Sequence, residues 1–289
     1  MSAPILVTGA TGRLGQLVTQ RLLDAGETVR VFTRRIEVAR ALFGDRVEIA
    51  VGEFADPTAL HAALAGTRKL FLLSPISETL AAEQIAVVDA AVTEGVSRIV
   101  KISGSDWTID PPGASISGDA HAAVEWHLRG LNIEQVSIRP NAWMQVSLLN
   151  TIRQAAQGHA LTARHGAAGV AYLDARDIAD VAVHQLLAPH VADKPLIITG
   201  AEAVTIRDIA EILSRVLHRP IGVGDTSGNV APFHGDSFEH RAVAQFGTLI
   251  AAGRAAPVTR VVSELLGRAP RNVEDFITEH FAAEAALAG

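Results

Sequence analysis

Short apolar runs alternate with longer amphipathic segments over the first 140 residues of the chain. The runs are rich in Val and Ile and cover residues 5–7, 29–33, 47–51, 70–73, 99–102 and 133–138. Strands that are buried on both faces have this composition, and the intervening segments are long enough for crossover helices. The pattern therefore predicts a doubly wound α/β domain, built on a parallel sheet, over residues 1–140.

The segments between these runs follow the helical period. In the first of them, Leu14, Leu17, Val18 and Leu22 are three or four positions apart, which predicts one apolar helix face. Similar helices are predicted over residues 57–65, 78–94 and 119–129.

The alternation loosens after residue 140. Here the sequence predicts helices over 143–157, 177–187 and 206–217, strands over 169–173 and 194–199, and three closing helices. We therefore expect a smaller, mainly helical C-terminal lobe over residues 141–289, interleaved with the sheet through returns at about 169–200. Residues 222–235 contain four glycines and form an unusually long loop, which is either mobile or a lid.

A glycine motif joins the first predicted strand to the first predicted helix. Gly9, Gly12 and Gly15 follow a G-x-x-G-x-x-G spacing. Small residues allow a tight turn and leave the backbone open to a pyrophosphate, while the helix N-terminus supplies amide hydrogens. This context predicts a Rossmann-type dinucleotide site, and the alternative is a tight turn without a ligand. The predicted cofactor contacts of the turn are Gly9, Thr11, Gly12, Arg13, Leu14 and Gly15.

The end of the second strand indicates which dinucleotide is bound. An NAD site usually has an acidic residue there for the ribose 2′-hydroxyl, but this chain has Arg34, and no acid occurs before Glu37. A guanidinium pairs well with a 2′-phosphate. Arg34, with Arg13 as a second candidate, therefore favours NADP(H) over NAD; the alternative is that these arginines are solvated surface charges.

The other predicted strand ends supply further candidates, because ligands of open α/β sheets bind beyond the carboxyl ends of the strands. The additional cofactor contacts predicted there are Glu53, Phe54, Ser74, Pro75, Ser103 and Asn141. Each is also compatible with ordinary turn chemistry. Trp143 and Met144 follow the sixth strand and are candidates for an apolar substrate pocket, with core packing as the alternative.

Composition excludes several classes of protein and site. The 289 residues are 48% apolar without an uninterrupted membrane-length run, so a globular protein with no membrane span is expected. The absence of cysteine excludes disulfides, cysteine-ligated metals and thiol nucleophiles, and no histidine spacing indicates a metal site. A net charge of −6 argues against direct nucleic-acid binding. The N-terminus has no signal-peptide pattern, so a cytoplasmic location is expected.

Tyrosine and lysine are scarce. The single tyrosine is Tyr172, and the lysines are Lys69, Lys101 and Lys194. Because Arg176 stands four residues after Tyr172, a mechanism that needs a Tyr and a Lys at that spacing is excluded.

Several motifs in order along the chain resemble those of one family. They are 9–15, Arg34, 52–54, 74–75, 121–125, 138–141 and 173–179. From residue 4 to about 283 the chain resembles atypical short-chain dehydrogenase/reductases of the NmrA-like group. That group includes NADPH-dependent quinone reductases, triphenylmethane reductases and non-enzymatic nicotinamide-nucleotide sensors. The resemblance implies a Rossmann-type fold and NADP(H) as cofactor.

The chain departs from the standard family pattern at the proton donor. His121 and Glu125 stand where standard members have Tyr and Lys. Imidazole titrates near ~6.5 and can donate a proton at neutral pH, so His121 is the candidate catalytic acid. Glu125 lies one helical turn away and could orient the ring. The alternative is that both residues are exposed on the rim of a helix.

These observations predict an NADPH-dependent reductase acting on a small aromatic or quinonoid acceptor. The acceptor is expected between the nicotinamide, the segment 141–144 and the loop 222–235. The alternative is a non-enzymatic NADP(H)-binding redox sensor that acts through a protein partner, and isomerase or dehydratase chemistry with a tightly held cofactor is a third reading. The sequence leaves the oligomeric state open.

Overall fold

The computed structural model of the chain describes residues 3–224 and 235–288, with side chains as far as residue 283. Most of the predicted loop 222–235 therefore lies outside the described residues. None of the helices in the described part is both long enough and apolar enough to cross a membrane. The strands are β1 Ile5–Thr8, β2 Val29–Thr33, β3 Glu48–Val51, β4 Lys69–Leu72, β5 Arg98–Ile102, β6 Glu134–Pro140, β7 Leu161–Thr162, β8 Leu196–Ile198 and β9 Val223–Gly224. The helices are α1 Arg13–Asp24, α2 Ile36–Phe43, α3 Pro57–Leu64, α4 Leu80–Thr93, α5 Asp106–Ile109, α6 Ile116–Arg129, α7 Met144–Ser147, α8 Leu149–Ala156, α9 Ala175–Leu187, α10 Ile206–Val216, α11 Phe238–Ala251, α12 Val261–Leu266 and α13 Val273–Ala288, with a short 3-10 turn at Gly44–Arg46.

A seven-stranded sheet in the order β3-β2-β1-β4-β5-β6-β8 forms the centre of the fold. The pairs from β3 to β6 are all parallel. The chain moves outward from β1 to β3 and then continues on the other side of β1 with β4. This confirms the doubly wound α/β fold, because the first six predicted strands all form within two residues of their predicted bounds.

The strand ends next to the reversal of strand order are held together by Thr8. Its hydroxyl donates to the carbonyl of Leu73 at 2.9 Å and accepts from the amide of Leu73 at 2.8 Å. Thr8 is fully buried, so both hydrogen bonds are shielded from water. The last residue of β1 is thereby tied to the residue after β4, and the glycine turn begins from a constrained position.

The chain divides into two compact units. The first contains Met1–Gly104, Ile116–Arg139 and Ile178–Leu196, and the second contains Ser105–Ser115, Pro140–Asp177 and Ile197–Gly289. The sequence predicts a single boundary at residue 140 between the two parts of the chain, with returns of the second part to the sheet at about residues 169–200. The structure adds residues 105–115 to the second unit.

Contacts within each unit explain this division. In the second unit the indole N–H of Trp107 donates to the side-chain oxygen of Asn141 at 2.8 Å, and the Trp107 ring meets Phe246 edge to face. In the first unit the Arg98 guanidinium donates to the carbonyl oxygens of Gln185 and Ala188, at 3.0 and 2.6 Å. The buried Arg98 therefore anchors the end of α9 to the sheet.

Two predicted elements of the second unit differ from the structure. The predicted strand 169–173 is wrong: Val170 and Leu173 form isolated bridges with different partners, so no continuous ladder develops. The predicted helix 143–157 is divided at Leu148 into α7 and α8. The Leu148 amide still donates to Met144 at 2.9 Å, so the hydrogen-bonded path continues across the break.

A buried carboxylate within the second unit, that of Asp177, binds residues of its C-terminal part. Asp177 is fully buried and accepts from the Arg268 guanidinium and from the Arg271 backbone amide, both at 2.7 Å. The Arg271 side chain also contacts Asp177. A buried carboxylate needs such compensation, so the segment before α13 is held in place by charge as well as by packing.

Candidate functional site

The glycine turn after β1 has a conformation that side chains would disrupt. Gly9 adopts a φ of +65°, and the Gly12 amide donates to the Gly9 carbonyl at 3.0 Å. A Cβ on Gly15 would lie 2.1 Å from the Gly9 oxygen, well inside van der Waals contact. Glycine at position 15 therefore allows α1 to begin directly against the turn.

The N-terminus of α1 is left open by the side chains around it. Its N-cap is Gly12, which has no capping side chain, and its first turn contains no acidic residue. By contrast, Asp56 caps α3 by accepting from the amides of Thr58 and Ala59, at 2.9 and 3.1 Å. The first amides of a helix lack partners within the helix and carry a partial positive charge. The start of α1 therefore suits a pyrophosphate, and the turn 9–15 fits a bound dinucleotide.

Arg34 and Glu53 follow the neighbouring strands β2 and β3, whose last residues Thr33 and Val51 are paired. Arg34 Nη1 lies 3.7 Å from a Glu53 carboxylate oxygen. The Arg34 and Glu53 side chains are 75% and 57% exposed. A solvated pair at this distance contributes little to stability, so the guanidinium can reorient towards an anion. Arg34 stays the candidate for a 2′-phosphate, with Glu53 close enough to compete for it.

The remaining predicted contacts at the ends of β3 and β4 are partly engaged with the protein. The Phe54 ring stacks on the buried Phe32 ring, with 5.9 Å between the ring centres. The Ser74 hydroxyl accepts from the Gln84 side chain at 2.8 Å, and Pro75 is exposed. Phe54 and Ser74 therefore have structural contacts, and their predicted roles in cofactor binding stay predictions.

A buried polar cluster lies at the carboxyl end of β5. It consists of Lys101, Ser103, His121, Glu125 and Arg139, and we call it the Lys101 cluster. The Lys101 amine lies 2.9 Å from His121 Nδ1, 3.1 Å from the Ser103 hydroxyl and 3.2 Å from the Ile102 carbonyl. Lys101 is fully buried, and Ser103, His121 and Glu125 are nearly so. The predicted residue Ser103 therefore directs its hydroxyl into this cluster.

Glu125 supplies the negative charge of the Lys101 cluster. Its carboxylate accepts from Ser103 at 2.6 Å and from Arg139 Nε at 3.0 Å, and a second Arg139 nitrogen contacts its other oxygen. Burial opposes ionisation, but the hydrogen bonds from Arg139 and Ser103 outweigh it and hold the pKa of Glu125 below its ordinary value. Glu125 is thus an ionised carboxylate whose charge is balanced by Arg139.

The same environment disfavours positive charge on the two nitrogen bases. Burial lowers the pKa of Lys101 to about 7, a shift that Glu125 opposes and Arg139 reinforces. Burial and the neighbouring Lys101 lower the pKa of His121 well below 6.5. His121 is therefore a neutral imidazole at physiological pH.

Two expectations about His121 and Glu125 are corrected by this arrangement. The alternative that both lie exposed on a helix rim is wrong, because their exposed fractions are 7% and 3%. Glu125 was also expected to orient the His121 ring, but it pairs with Arg139 and Ser103, while Lys101 holds Nδ1. A helical spacing of four brings both side chains to one face, yet the β5 side chains lie beneath that face.

Lys101 is the functional candidate that sequence reasoning missed. The signal was present: Lys101 lies between Val100 and Ile102 in a strand predicted to be buried on both faces. A lysine at such a position must be buried with partners. Ser103 is close in the chain, but the other side chains of the cluster are 20 or more residues away, on α6 and β6.

The predicted residues of the second unit are more deeply embedded than expected. Asn141 is nearly buried, and its side-chain amide accepts from Trp107 and donates to the Ala255 carbonyl at 2.9 Å. Met144 is fully buried within an apolar cluster, which favours core packing. Trp143 is half-buried and forms a bridge with Leu173. Their predicted roles in ligand binding stay predictions.

Comparisons with known proteins are consistent in fold and chemistry. The model of the NmrA-like family matches residues 1–231. A (4-alkanoyl-5-oxo-2,5-dihydrofuran-3-yl)methyl phosphate reductase of Streptomyces griseus is 32% identical, covering 96% of this chain and 97% of its own length. An NAD(P)H azoreductase of Xenophilus azovorans is 29% identical, covering 75% of each chain. The structure of an NADPH-dependent quinone oxidoreductase of Escherichia coli, complexed with NADPH, superposes with a TM-score of 0.84 at 21% identity, covering 96% of this chain and 99% of its own; this last likeness concerns the fold.

Proposed function

This chain belongs to the NmrA-like family, and on that premise we propose that it is an NADPH-dependent reductase of a small aromatic or quinonoid acceptor. When bound, NADPH supplies the hydride. The protein supplies the site: the open N-terminus of α1 and the turn 9–15 for the pyrophosphate, and Arg34 for the 2′-phosphate. The observation that carries the proposal is the turn 9–15, where a side chain at Gly15 would strike the Gly9 backbone at 2.1 Å.

The preference for NADPH over NADH rests on Arg34. At the end of β2 the chain has Arg34 in place of an acidic residue that would bond a ribose 2′-hydroxyl. The Arg34 guanidinium is exposed there. A charge-assisted hydrogen bond contributes about 1.5–3 kcal/mol, and solvent exposure places this one at the lower end. Arg34→Ala should therefore weaken NADPH binding by about tenfold and NADH binding by much less.

The acceptor class is supported by the relatives. They include an azoreductase and a quinone oxidoreductase, whose names denote conjugated acceptors that take up two electrons readily. A conjugated acceptor of this kind needs only a hydride and a proton, and the hydride is the cofactor's chemistry. The absence of a Tyr–Lys pair is therefore compatible with turnover.

Turnover and binding can be tested together. NADPH consumption is measured without oxygen against a panel of benzoquinones, naphthoquinones, azo dyes and triphenylmethane dyes, and we expect saturable oxidation with at least one of them. Affinities for NADPH and NADH are measured in wild type, Arg34→Ala and the control Arg40→Ala, whose exposed arginine lies on α2. Equal losses for both cofactors in Arg34→Ala would remove the 2′-phosphate site. Tight binding of NADP(H) without turnover of any acceptor would favour the sensor.

A further inference from the structure

Lys101 is a buried titratable group that cofactor binding does not explain. Two elements of the fold present charged or titratable groups to Lys101. They are α6, with His121 and Glu125, and β6, with Arg139. On the other side, the paired residue of β4 is Leu72, which is apolar. A lysine enclosed in this way is costly to bury, so its position calls for an explanation.

The direction of each hydrogen bond in the Lys101 cluster follows from Glu125. An ionised carboxylate only accepts, so the single hydroxyl hydrogen of Ser103 is donated to Glu125 at 2.6 Å. The Ser103 oxygen and the Ile102 carbonyl therefore accept from the Lys101 ammonium, at 3.1 and 3.2 Å. The third ammonium hydrogen remains for His121 Nδ1, at 2.9 Å.

This hydrogen bond determines the tautomer of His121. Because Nδ1 accepts from Lys101, the neutral imidazole carries its hydrogen on Nε2. Among the described residues the structure gives Nε2 no hydrogen-bond partner, and His121 keeps 7% of its surface exposed. The cluster lies where β5 ends, the edge at which ligands of open α/β sheets bind. The Nε2 hydrogen is thus available to a ligand at that edge.

We propose that Lys101 and His121 form a proton relay that completes the reduction of the acceptor; this inference rests on the proposed reductase function. Hydride addition leaves the acceptor with two more electrons and a negative charge. The His121 Nε2–H bond then breaks as a bond from that hydrogen to the acceptor forms. At the same time an N–H bond of the Lys101 ammonium breaks, and the released proton forms a covalent bond to His121 Nδ1. The pair changes from a net charge of +1 to neutral. It is reset when a proton from solvent adds to His121 Nε2 and the Nδ1 hydrogen passes back to the buried Lys101.

The protonation equilibria of the cluster suit this step. The pKa of Lys101, lowered to about 7 by burial, leaves an ammonium that can release a proton near neutral pH. The low pKa of His121 keeps the ring neutral between turnovers. Glu125 attracts the Lys101 ammonium, but Arg139 repels it, and burial remains the larger effect on the pKa of Lys101.

The protonation states can be tested without activity. The chain contains only three lysines, so lysine labelled at Cε gives three NMR signals, which Lys→Met variants assign one at a time. We expect Lys101 to titrate near pH 7 and ¹⁵N spectra to show the proton of His121 on Nε2. A Lys101 that titrates with ordinary lysines, near ~10.4, or a His121 protonated on Nδ1 throughout, would overturn the relay.

The catalytic consequence is tested by the pH dependence of turnover. In wild type, kcat/KM should fall as the pH rises through the titration of Lys101, because the ammonium is the proton source. In Lys101→Met we expect a loss of about 10²- to 10⁴-fold in kcat, as for removal of a general acid, without that pH dependence and with unchanged affinity for NADPH. The control Lys69→Met removes a lysine from the amino end of β4, whereas the Lys101 cluster lies at the carboxyl end of β5. This control should leave the rate and the pH profile as in wild type.

The outcomes separate the relay from the function on which it rests. If wild type turns over an acceptor and Lys101→Met matches its rate and pH profile, the relay is overturned and the reductase stands. If wild type is inert with every acceptor, the proposed function fails and the relay fails with it. If Lys101→Met does not fold, the NMR titration of wild type still decides the protonation states.

Discussion

Burial of the Lys101 ammonium should lower the free energy of unfolding of the protein. Each tenfold change in a protonation equilibrium corresponds to ~1.36 kcal/mol. Because the pKa of Lys101 falls from 10.5 to about 7, the ammonium destabilises the folded state by an amount on the order of 5 kcal/mol at pH values below 7. Lys101→Met removes this cost but leaves His121 Nδ1 without a donor, at about 1–3 kcal/mol, while the Ser103 hydroxyl keeps its hydrogen bond to Glu125. We therefore expect the variant to be more stable than wild type by a few kcal/mol near pH 6.

The sign of the pH dependence follows from the same shift. Between pH 7 and 10.5 the unfolded state binds a proton at Lys101 that the folded state has released. The contribution of Lys101 to stability therefore rises with pH across this window, by about 1.4 kcal/mol per pH unit. The advantage of Lys101→Met should shrink by the same amount as the pH increases.

Chemical unfolding of wild type and Lys101→Met, followed by circular dichroism from about pH 6 to about pH 9, measures this effect. The difference between the two free energies of unfolding cancels most other titrating groups. Lys69→Met is the control, since Lys69 is only half-buried, and its difference should vary much less with pH. A Lys101→Met difference that is flat across the range would refute the claim that the ammonium is destabilised.

Three other substitutions test the cofactor turn, the competition at Arg34 and the buried carboxylate. Gly15→Ala should weaken NADPH binding at least about tenfold by calorimetry, because its Cβ would lie 2.1 Å from the Gly9 oxygen; Gly222→Ala, with open space around its Cβ, should bind as wild type does. Glu53→Gln should tighten NADPH binding by up to about fivefold, since it removes an exposed competitor worth ~0.2–1 kcal/mol; unchanged affinity would mean that Glu53 does not compete. Asp177→Asn should destabilise the protein by about 1.5–3 kcal/mol in thermal unfolding, because a neutral amide replaces the buried carboxylate that accepts from Arg268 and Arg271, and a loss within ~0.5 kcal/mol would contradict the role of that ion cluster.

Local patterns in the sequence were enough to predict the sheet and the glycine turn after β1. Apolar runs of strand length separated by helical periods specify parallel strands wherever both faces are covered. β1, β2, β4 and β5 follow that rule, whereas β3 is an edge strand that is partly exposed. The spacing of Gly9, Gly12 and Gly15 predicts where α1 begins, because glycine is needed where α1 meets the turn. Both features depend on neighbours that are close in the chain.

The interior of the site could not be predicted in the same way. His121 and Glu125, which contact Lys101 and Ser103, lie on α6. Whether a helix face is exposed or buried is decided by the sheet beneath it. Spacing alone therefore paired Glu125 with His121, whereas the structure pairs it with Arg139. Likewise, residues 105–115 join the second unit because Trp107 finds its partner at Asn141, 34 positions later.

We expect this chain to transfer electrons from NADPH to a small acceptor. The most direct test is the stoichiometry of the reaction without oxygen, with NADPH and the reduced acceptor quantified in the same sample. We expect one NADPH to be consumed for each acceptor reduced by two electrons. The rate should saturate with increasing acceptor concentration and should be lower with NADH than with NADPH. NADPH consumption no faster than in buffer, with every acceptor of the panel, would contradict it.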